Sequence, residues 1–451
     1  MRIIIVGCGK VGQTLVEQLS KENHELVVID VNPDKFEQVE DSDAMCIAGN
    51  GNSYQTLLEA GVKKAHLLIA VTGSDEQNLL CCLIARKTGK CQTIARVRNP
   101  VYSKEVEFLK KEFGLAMIIN PEWAAADEMA RIFQFPSAIK IDRFAHGMVE
   151  LLHFRITADS PLNGQQVIDV RNKYNQNVLI CSVTREDQVT IPGGDFIFRE
   201  NDTVSVVARR YDAMDFFRKL GLMTGRVRNV LIAGGGKISY YLTASLLKAG
   251  IHTTIIEMDK NRCEYLAEML PQATIIYGDA TDEKLLDQEG VEHAEGFAAL
   301  TGLDEENILL ALYTKAVSKA KIITKINRIG FSSVIGNLDL DCVINPRIIM
   351  ADSIVRYVRA SRNSDDSDVE NLYKLEEGKA EAVEFIVKEN SPVTDVPLHE
   401  LKIRKNTLIA SIVRDGKIII PSGQDKIQVN DSVIVVLAGY SISDLKGILE
   451  Q

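Results

Sequence analysis

The sequence predicts an α/β protein made of two copies of one two-part unit. Each unit is a parallel sheet layered by helices, followed by a small α+β domain. Three observations predict it. Short apolar runs alternate with segments of helical period, the pattern of a parallel sheet covered on both faces. A glycine-rich turn separates the first strand from the first helix in each copy. Motifs recur along the 451 residues at a near-constant offset, the mark of an internal repeat.

The repeat sets the domain organisation. Gly7-Cys8-Gly9-Lys10-Val11 returns as Gly234-Gly235-Gly236-Lys237-Ile238, and Asp30 as Glu257. Thr72-Gly73-Ser74-Asp75-Glu76-Gln77-Asn78 returns as Thr301-Gly302-Leu303-Asp304-Glu305-Glu306-Asn307, and Asn120-Pro121 as Asn345-Pro346. Later, Ser160-Pro161-Leu162 matches Ser391-Pro392-Val393, Ile191-Pro192-Gly193 matches Ile420-Pro421-Ser422, and Asn201-Asp202 matches Asn430-Asp431. The expected parallel-sheet domains are 1–120 and 228–345, and the expected small domains are 137–220 and 372–451.

In chain order, Arg2–Val6 is an apolar strand and Val11–Leu19 has helical spacing. Glu25–Ile29 is a second strand, Lys35–Val39 begins a helix, and Ala44–Ala48 and Leu67–Val71 are strands. Asp75–Lys87 is a helix capped by Thr72 or Ser74, Thr93–Val97 is a strand, and Glu122–Ile132 is a helix opened by Pro121. In the small domains, Val149–Ile156, Val178–Thr184 and Thr203–Val207 read as strands, as do Ala382–Val387, Thr407–Val413 and Ser432–Val436. Arg185-Glu186-Asp187 and Asp415-Gly416 are turns, and short helices are expected over Asp212–Leu220 and Ser443–Leu449. Gly221–Asn229 and the acidic Ser361–Asn371 read as linkers.

Composition excludes several classes. With 46% hydrophobic and 25% charged residues the chain is globular. The net charge of −10, without a long basic run, argues against nucleic acid and anionic lipid. No apolar run approaches the roughly 20 residues that span a bilayer, and the N-terminus enters a strand at once. Eight cysteines without a CxxC spacing read as free thiols in a cytosolic protein, and no metal-ligand spacing is present.

The chemistry concentrates at the glycine turns. Gly7-x-Gly9-x-x-Gly12 lies between a strand and a helix, the context that makes the pattern specific for a Rossmann-type dinucleotide cradle. The first glycine permits the turn, the second lets a pyrophosphate approach, and the third lets helix pack on strand. Asp30 ends the second strand, where a carboxylate accepts ribose hydroxyls and repels a 2′-phosphate, so NAD is favoured over NADP. Gly49-Asn50-Gly51-Asn52 and Thr72-Gly73 follow the next strands and complete the pocket. Arg96 and Arg98 are placed to counter phosphate charge or to form surface salt bridges.

The second cradle is altered. Gly234, Gly235, Gly236, Lys237 and Ile238 keep the loop, but Ser239 replaces the third glycine, adding a side chain where helix and strand should touch. Glu257 replaces Asp30, Gly278-Asp279 brings a second carboxylate, Thr301 keeps the threonine of Thr72, and Lys325 replaces Arg96. This copy is expected to bind more weakly or differently, or to be structural.

An NAD-dependent oxidoreductase is the alternative, and it needs an acid or base aimed at a carbonyl. The histidines (24, 66, 146, 153, 252, 293 and 399) form no repeated pair. His24 and His252 are expected in solvated loops, and His153 packed in a strand. The repeat also leaves no room for a catalytic domain.

The doubled order of GCGKVG, Asp30, GNGN, VTGSDEQN, ARVRNP and the later IPGG and NDTVSVV segments resembles the TrkA family, the tandem RCK (regulator of potassium conductance) subunits of bacterial Trk potassium uptake systems. The resemblance covers essentially the whole chain. It implies two Rossmann-like RCK N-terminal domains, each followed by an α+β RCK C-terminal domain. It implies a non-enzymatic cytoplasmic regulator, peripheral to the inner face of the membrane, that gates a TrkH-like potassium transporter. It further implies a homo-oligomer, dimer or tetramer ring, joined through crossover helices after Asn120-Pro121 and Asn345-Pro346. The implied ligands are NAD(H) and in some members ATP or ADP. They would be held in the first site by Gly7, Cys8, Gly9, Lys10, Val11, Asp30, Asn50, Gly51, Thr72, Gly73 and Arg96. The second set is Gly234, Gly235, Gly236, Lys237, Ile238, Glu257, Asp279 and Thr301.

Overall fold

The computed structural model describes all residues except 23, 104, 136–138, 145–147, 175–176, 187, 222–226, 329–337, 339, 364–368, 376–378, 443 and 451. The described chain forms two compact units that cut across the sequence repeat. Met1–Met129 joins Asn229–Val355 in one, and Ala130–Arg228 joins Arg356–Gln451 in the other.

The first unit holds two six-stranded parallel sheets. In the first copy these are β1 (Arg2–Val6), α1 (Lys10–Ser20), β2 (Glu25–Asp30), β3 (Ala44–Ala48), α2 (Tyr54–Glu59), β4 (Leu67–Ala70), α3 (Asp75–Gly89), β5 (Gln92–Arg96), α4 (Pro100–Ser103), α5 (Val106–Phe113), β6 (Met117–Ile119) and α6 (Pro121–Gln134). The strand order is β3-β2-β1-β4-β5-β6, the doubly wound order whose reversal beside β1 opens a ligand crevice at the strand C-termini. β1 is Ile-Ile-Ile-Val with each of these side chains buried, because helices cover both faces. On α1, Val11, Leu15, Val16 and Leu19 form one buried stripe. Ser74 caps α3 by accepting the Gln77 amide at 3.2 Å, so of the two expected caps it is Ser74 that serves.

The second unit begins with β7 (Lys140–Phe144), β8 (Val149–Arg155), α7 (Val167–Lys173), β9 (Leu179–Arg185), β10 (Gln188–Thr190), β11 (Thr203–Ala208) and α8 (Arg210–Lys219). The chain then returns to the first unit with β12 (Asn229–Ala233), α9 (Lys237–Lys248), β13 (His252–Glu257), α10 (Lys260–Met269), β14 (Thr274–Tyr277), α11 (Glu283–Gln288), β15 (Gly296–Ala299), α12 (Asp304–Val317), β16 (Lys321–Lys325), β17 (Val343–Ile344) and α13 (Pro346–Asn363). Their order, β14-β13-β12-β15-β16-β17, repeats the first sheet. Last come β18 (Val369–Leu375), β19 (Ala380–Ile386), β20 (Thr407–Arg414), β21 (Lys417–Ile419) and β22 (Ser432–Ala438).

The two five-stranded antiparallel sheets of the second unit, β10-β9-β11-β8-β7 and β18-β19-β22-β20-β21, match strand for strand. Leu151, Val207 and Cys181 of one pack with Ala382, Ile434 and Ala410 of the other in a shared apolar layer. The repeated Asn-Asp signal has a physical cause. Asn201 and Asn430 adopt left-handed turns (φ 68° and 72°). Asp202 and Asp431, fully buried, each take a two-pronged ion pair from Arg185 or Arg414 at 2.7–2.8 Å.

Several local expectations are corrected. Pro33–Val39 and Leu445–Ile448 are 3-10 turns rather than α-helices, the first opened by a proline and both short; Ser443 lies outside the described residues. The linker expected over Ser361–Asn371 is narrower, since α13 runs through Asn363 and β18 starts at Val369, leaving 364–368 outside the description. Residues 222–226 of the other linker also lie outside it, as do Asp187 and His146. His24 is buried rather than solvated (7% exposed), with Glu22 at 3.7 Å. Strands β6, β7, β10, β17, β18 and β21 escape the sequence reading because they are short or edge strands with little alternation. Among the described residues, no helix is long and apolar enough to cross a membrane.

Candidate functional site

The first glycine loop joins β1 to α1 at the C-terminal edge of the first sheet. Gly7 has φ +107°, a region that favours glycine, and a Cβ there would lie 3.0 Å from the Thr72 amide nitrogen. At Gly12 a Cβ would lie 1.9 Å from the Gly7 carbonyl oxygen, so α1 seats against the loop only because that side chain is absent. Gly9 and Gly73 face open space instead, with nothing within 4 Å of an added Cβ. Gly9 starts α1 without a side-chain cap. The first-turn amides of this 11-residue helix, at Lys10 and Val11, therefore point toward the crevice at the positive end of the helix dipole.

Asp30 braces this loop. Its Oδ2 accepts the Cys8 amide at 2.7 Å and its Oδ1 the Asn32 amide at 2.9 Å, while Lys35 Nζ lies 3.1 Å from Oδ1. Burial pushes the carboxyl up, and the Asn32, Cys8 and Lys35 donors together carry it below the ordinary carboxylate value. The ribose-binding acid expected from the sequence is thus also the strut of the phosphate loop. Burial, then the charge of Asp30, pushes the Cys8 thiol up to about 11, which makes it a packing group.

Two further loops enclose the crevice. Asn50 Oδ1 accepts the Asn52 amide at 2.9 Å, and a Cβ on Gly51 would strike Val6 Cγ1 at 2.2 Å. Thr72 presents both its amide, at 2.8 Å, and its hydroxyl, at 2.7 Å, to Asn78 Oδ1, while Asn78 Nδ2 donates to the Arg96 carbonyl at 2.9 Å. Arg96 Nη2 donates to the Thr72 carbonyl, and Arg98 Nη2 to the Gly73 carbonyl at 2.8 Å. Both arginines therefore clamp the Thr72-Gly73 loop, a refinement of their expected roles as phosphate or salt-bridge partners. Burial and the neighbouring Arg98 charge bring the Arg96 pKa down to about 10. Its Nε is buried without a hydrogen-bond partner, an orphaned donor of the kind an anionic group satisfies.

The second cradle repeats this frame with substitutions. Glu257 Oε2 accepts the Gly235 amide at 2.5 Å and Oε1 the Asp259 amide at 2.8 Å, so the longer acid performs the same bracing. Ser239, expected to force helix from strand, is accommodated: it is fully buried and its hydroxyl donates to the Gly234 carbonyl. Gly236 faces open space while Lys237 and Ile238 open α9. Asp279 spends Oδ1 on the Thr281 amide and hydroxyl, at 2.9 and 2.8 Å. The Thr301 amide bonds Asn307 Oδ1 at 2.8 Å, and Lys325 Nζ donates to the Thr301 carbonyl at 2.6 Å. Arg262 Nε donates to the Gly235 carbonyl at 2.6 Å and lays its guanidinium beside this loop.

Sequence reasoning missed Asn78, Asp75 and Arg262 as site-shaping residues. The first two were legible: Asn78 and Asn307 are fully buried asparagines at repeat positions. Asp75 Oδ2 accepts the Arg98 and Asn99 amides at 2.9 and 2.8 Å, as Asp304 accepts those of Asn327 and Arg328, each at 2.9 Å. Arg262 carried no such signal, since Lys35 at the matching position binds the acid instead.

The model of the TrkA-N domain matches residues 3–121 and 230–346, and that of the TrkA-C domain matches 151–221 and 382–448. A Trk system potassium uptake protein TrkA homolog of Archaeoglobus fulgidus is 32% identical over 435 residues, 96% of this chain and 97% of that protein. The Trk system potassium uptake protein TrkA of Halomonas elongata is 30% identical over 442 residues, 96% and 95% of the two chains. Among solved structures, the GsuK channel bound to NAD superposes with a TM-score of 0.64 at 18% identity, covering 97% of this chain and 77% of that one. The GsuK RCK domain gives the same TM-score and identity and covers 97% and 92%.

Proposed function

This chain belongs to the TrkA family, and we propose that it is the cytoplasmic regulatory subunit of a membrane potassium transporter, switched by a nucleotide in its first glycine-loop cradle. The observation that carries the reading is that cradle. Open backbone at Gly9 and Gly73, uncapped α1 amides and the Asp30 acid all lie at the C-terminal edge of the first sheet. Relatives named as Trk potassium uptake proteins match almost their full length, which supports the potassium role.

In this reading the amides of Gly9, Lys10 and Val11 meet the pyrophosphate and Asp30 the ribose. Asn50-Gly51 and Thr72-Gly73 wall the pocket. The ligand is NAD(H), with ATP and ADP as competitors for the same loop. The second cradle takes a nucleotide more weakly or with altered specificity, or is structural, since Glu257 and Asp279 bring two carboxylates to its loops. Ligand binding shifts the packing between subunits only by its differential affinity for two states, typically a coupling of about 1–3 kcal/mol. The partner is a TrkH-like subunit, and the chain works as a dimer or tetramer ring joined through α6 and α13.

A dehydrogenase would need a base at the crevice. His24, His66, His252 and His293 sit at or just before the N-terminal ends of β2, β4, β13 and β15, the edge opposite the glycine loops, which favours regulation over hydride chemistry. The test is calorimetric titration of NADH, ATP and ADP into the full chain and Asp30→Ala, together with co-purification of a potassium-transporting membrane protein. Nucleotide binding weakened at least tenfold by the substitution supports the reading, and unchanged titrations would refute the cradle assignment.

A further inference from the structure

The duplication supplies its own internal control. Tyr240 and Tyr241 on α9 stand at the repeat positions of Gln13 and Thr14 on α1. Tyr241 is buried, and its hydroxyl ties α9 to the first parallel-sheet domain. It accepts from Asn120 Nδ2 at 3.0 Å and donates to the Arg98 carbonyl at 3.3 Å. Thr14 does not reach across. Its hydroxyl donates to the Lys10 carbonyl of its own helix at 2.9 Å. On that side a cleft of about 640 Å³ is lined by α1, including Gln13 and Thr14, by residues between Gln38 and Ser42, and by Arg328 and Arg347 of the second domain. That volume falls in the range of small-molecule sites, roughly 300–1,000 Å³.

The cleft is also charged by departures from the repeat. Arg328 and Arg347 close it from the second domain, where the first copy has Asn99 and Glu122. Lys10 at the start of α1 and Lys21 just past its end join them. The acids present are Glu17, paired with Lys21 at 3.3 Å, and Asp41. Arg328 is paired with Glu305 at 2.8 Å. Arg347 is partly buried, and the acid whose charge it feels, Asp304, already spends its oxygens on the Asn327 and Arg328 amides. Two tyrosines replaced by smaller polar residues, and an asparagine and a glutamate replaced by arginines, thus change one place in one direction. The result is room and positive charge together.

We propose that this cleft is a second ligand site, taking the phosphate group of a small phosphorylated molecule on Arg347 and Lys10. Guanidinium and ammonium are the groups suited to phosphate oxygens. The occupant is a free phosphorylated metabolite, since among the described residues no glycine of either loop lines the cleft. This is not the pyrophosphate cradle already described, so the inference goes beyond the proposed function.

The test uses the full-length chain, with Arg347→Glu and Thr14→Tyr each restoring the residue of the other copy. Radiolabelled inorganic pyrophosphate is measured by equilibrium dialysis with and without saturating NADH, and ADP and ATP are titrated calorimetrically. Pyrophosphate binding that survives NADH and falls at least tenfold in both variants assigns the site to a free metabolite. A tenfold loss of ATP affinity in the variants, with pyrophosphate binding under NADH unchanged, would place these residues on the nucleotide and overturn the proposal. Arg347→Gln, which keeps length and polarity, gives a graded loss if Arg347→Glu fails to fold. Folded variants with wild-type pyrophosphate affinity would overturn the proposal. So would a wild-type chain that shows no pyrophosphate binding under saturating NADH. NADH affinity reads the glycine loop separately, so either failure leaves that assignment standing.

Discussion

Asp30 and Cys8 are joined by a 2.7 Å hydrogen bond from the Cys8 amide to the carboxylate, and Glu257 makes the same bond to the Gly235 amide at 2.5 Å. The acid at the end of the second strand therefore shapes the phosphate loop before any ligand arrives. Asp30→Ala removes the acceptor of two backbone amides and the counter-charge of Lys35. Hydrogen bonds to charged groups contribute about 1.5–3 kcal/mol each, so the expected loss is at least tenfold in nucleotide affinity and about 2 kcal/mol in stability. Calorimetry and urea denaturation check both.

The same strut sets an acid limit. The Asp30 carboxyl lies below its ordinary value in the fold, so its contribution is fully present above the unfolded pKa of about 3.9 and is lost as pH falls through the lower folded value. The stability gap between wild type and Asp30→Asn should be constant from neutral pH down to about 4 and then close. A gap that does not change with pH in urea melts contradicts this account.

Gly12 and Ser239 predict opposite responses to one exchange. Gly12→Ala places a methyl 1.9 Å from the Gly7 carbonyl oxygen and must displace the loop, at a cost of about 2–3 kcal/mol and most of the nucleotide affinity. Ser239→Gly deletes one hydrogen bond from a loop already adjusted to the side chain, at about 1 kcal/mol. Thermal melts of the two variants give the comparison.

Asn78 and Asn307 test the bracing of the second loop. Each is fully buried and links a threonine amide to the carbonyl at the end of the next-but-one element, Arg96 or Lys325. Truncation to alanine leaves buried groups unpaired, each worth about 1–3 kcal/mol. Asn78→Ala should weaken NADH binding as well as stability, whereas Asn307→Ala should lower stability with little effect on the first cradle.

Thiol reactivity offers a check on burial. Cys46 is exposed, and the other seven cysteines are buried. Burial pushes Cys8 to about 11 and Cys181 and Cys342 to about 12. Native protein should therefore label once with a thiol reagent at neutral pH, and Cys46→Ser should abolish that fast phase. Rapid labelling of a second thiol would contradict the packing described.

The architecture was readable because the signals were redundant. The β1 run of branched residues, the glycines of the first loop and Asp30 each point to the same strand-turn-helix unit, and the repeat states it twice. What was not readable depended on three-dimensional neighbours. Arg96 and Arg98 read either as phosphate partners or as surface salt bridges, and that a side chain also folds back on a carbonyl depends on where the Thr72-Gly73 loop lies. Ser239 looked like a steric fault until its hydroxyl found the Gly234 carbonyl. The Thr14 to Tyr241 contrast was present in the aligned halves but had no meaning until α1 and α9 were seen against the opposite domains.

The central claim is that the first cradle reports nucleotide state to a potassium transporter. Potassium flux through the co-purified membrane partner, reconstituted in vesicles with this chain, tests it most directly. The account predicts that NADH or ATP changes the flux with wild-type chain and leaves it unchanged with Asp30→Ala. Flux that ignores both nucleotides with the wild-type chain, or that responds equally with the variant, would contradict it.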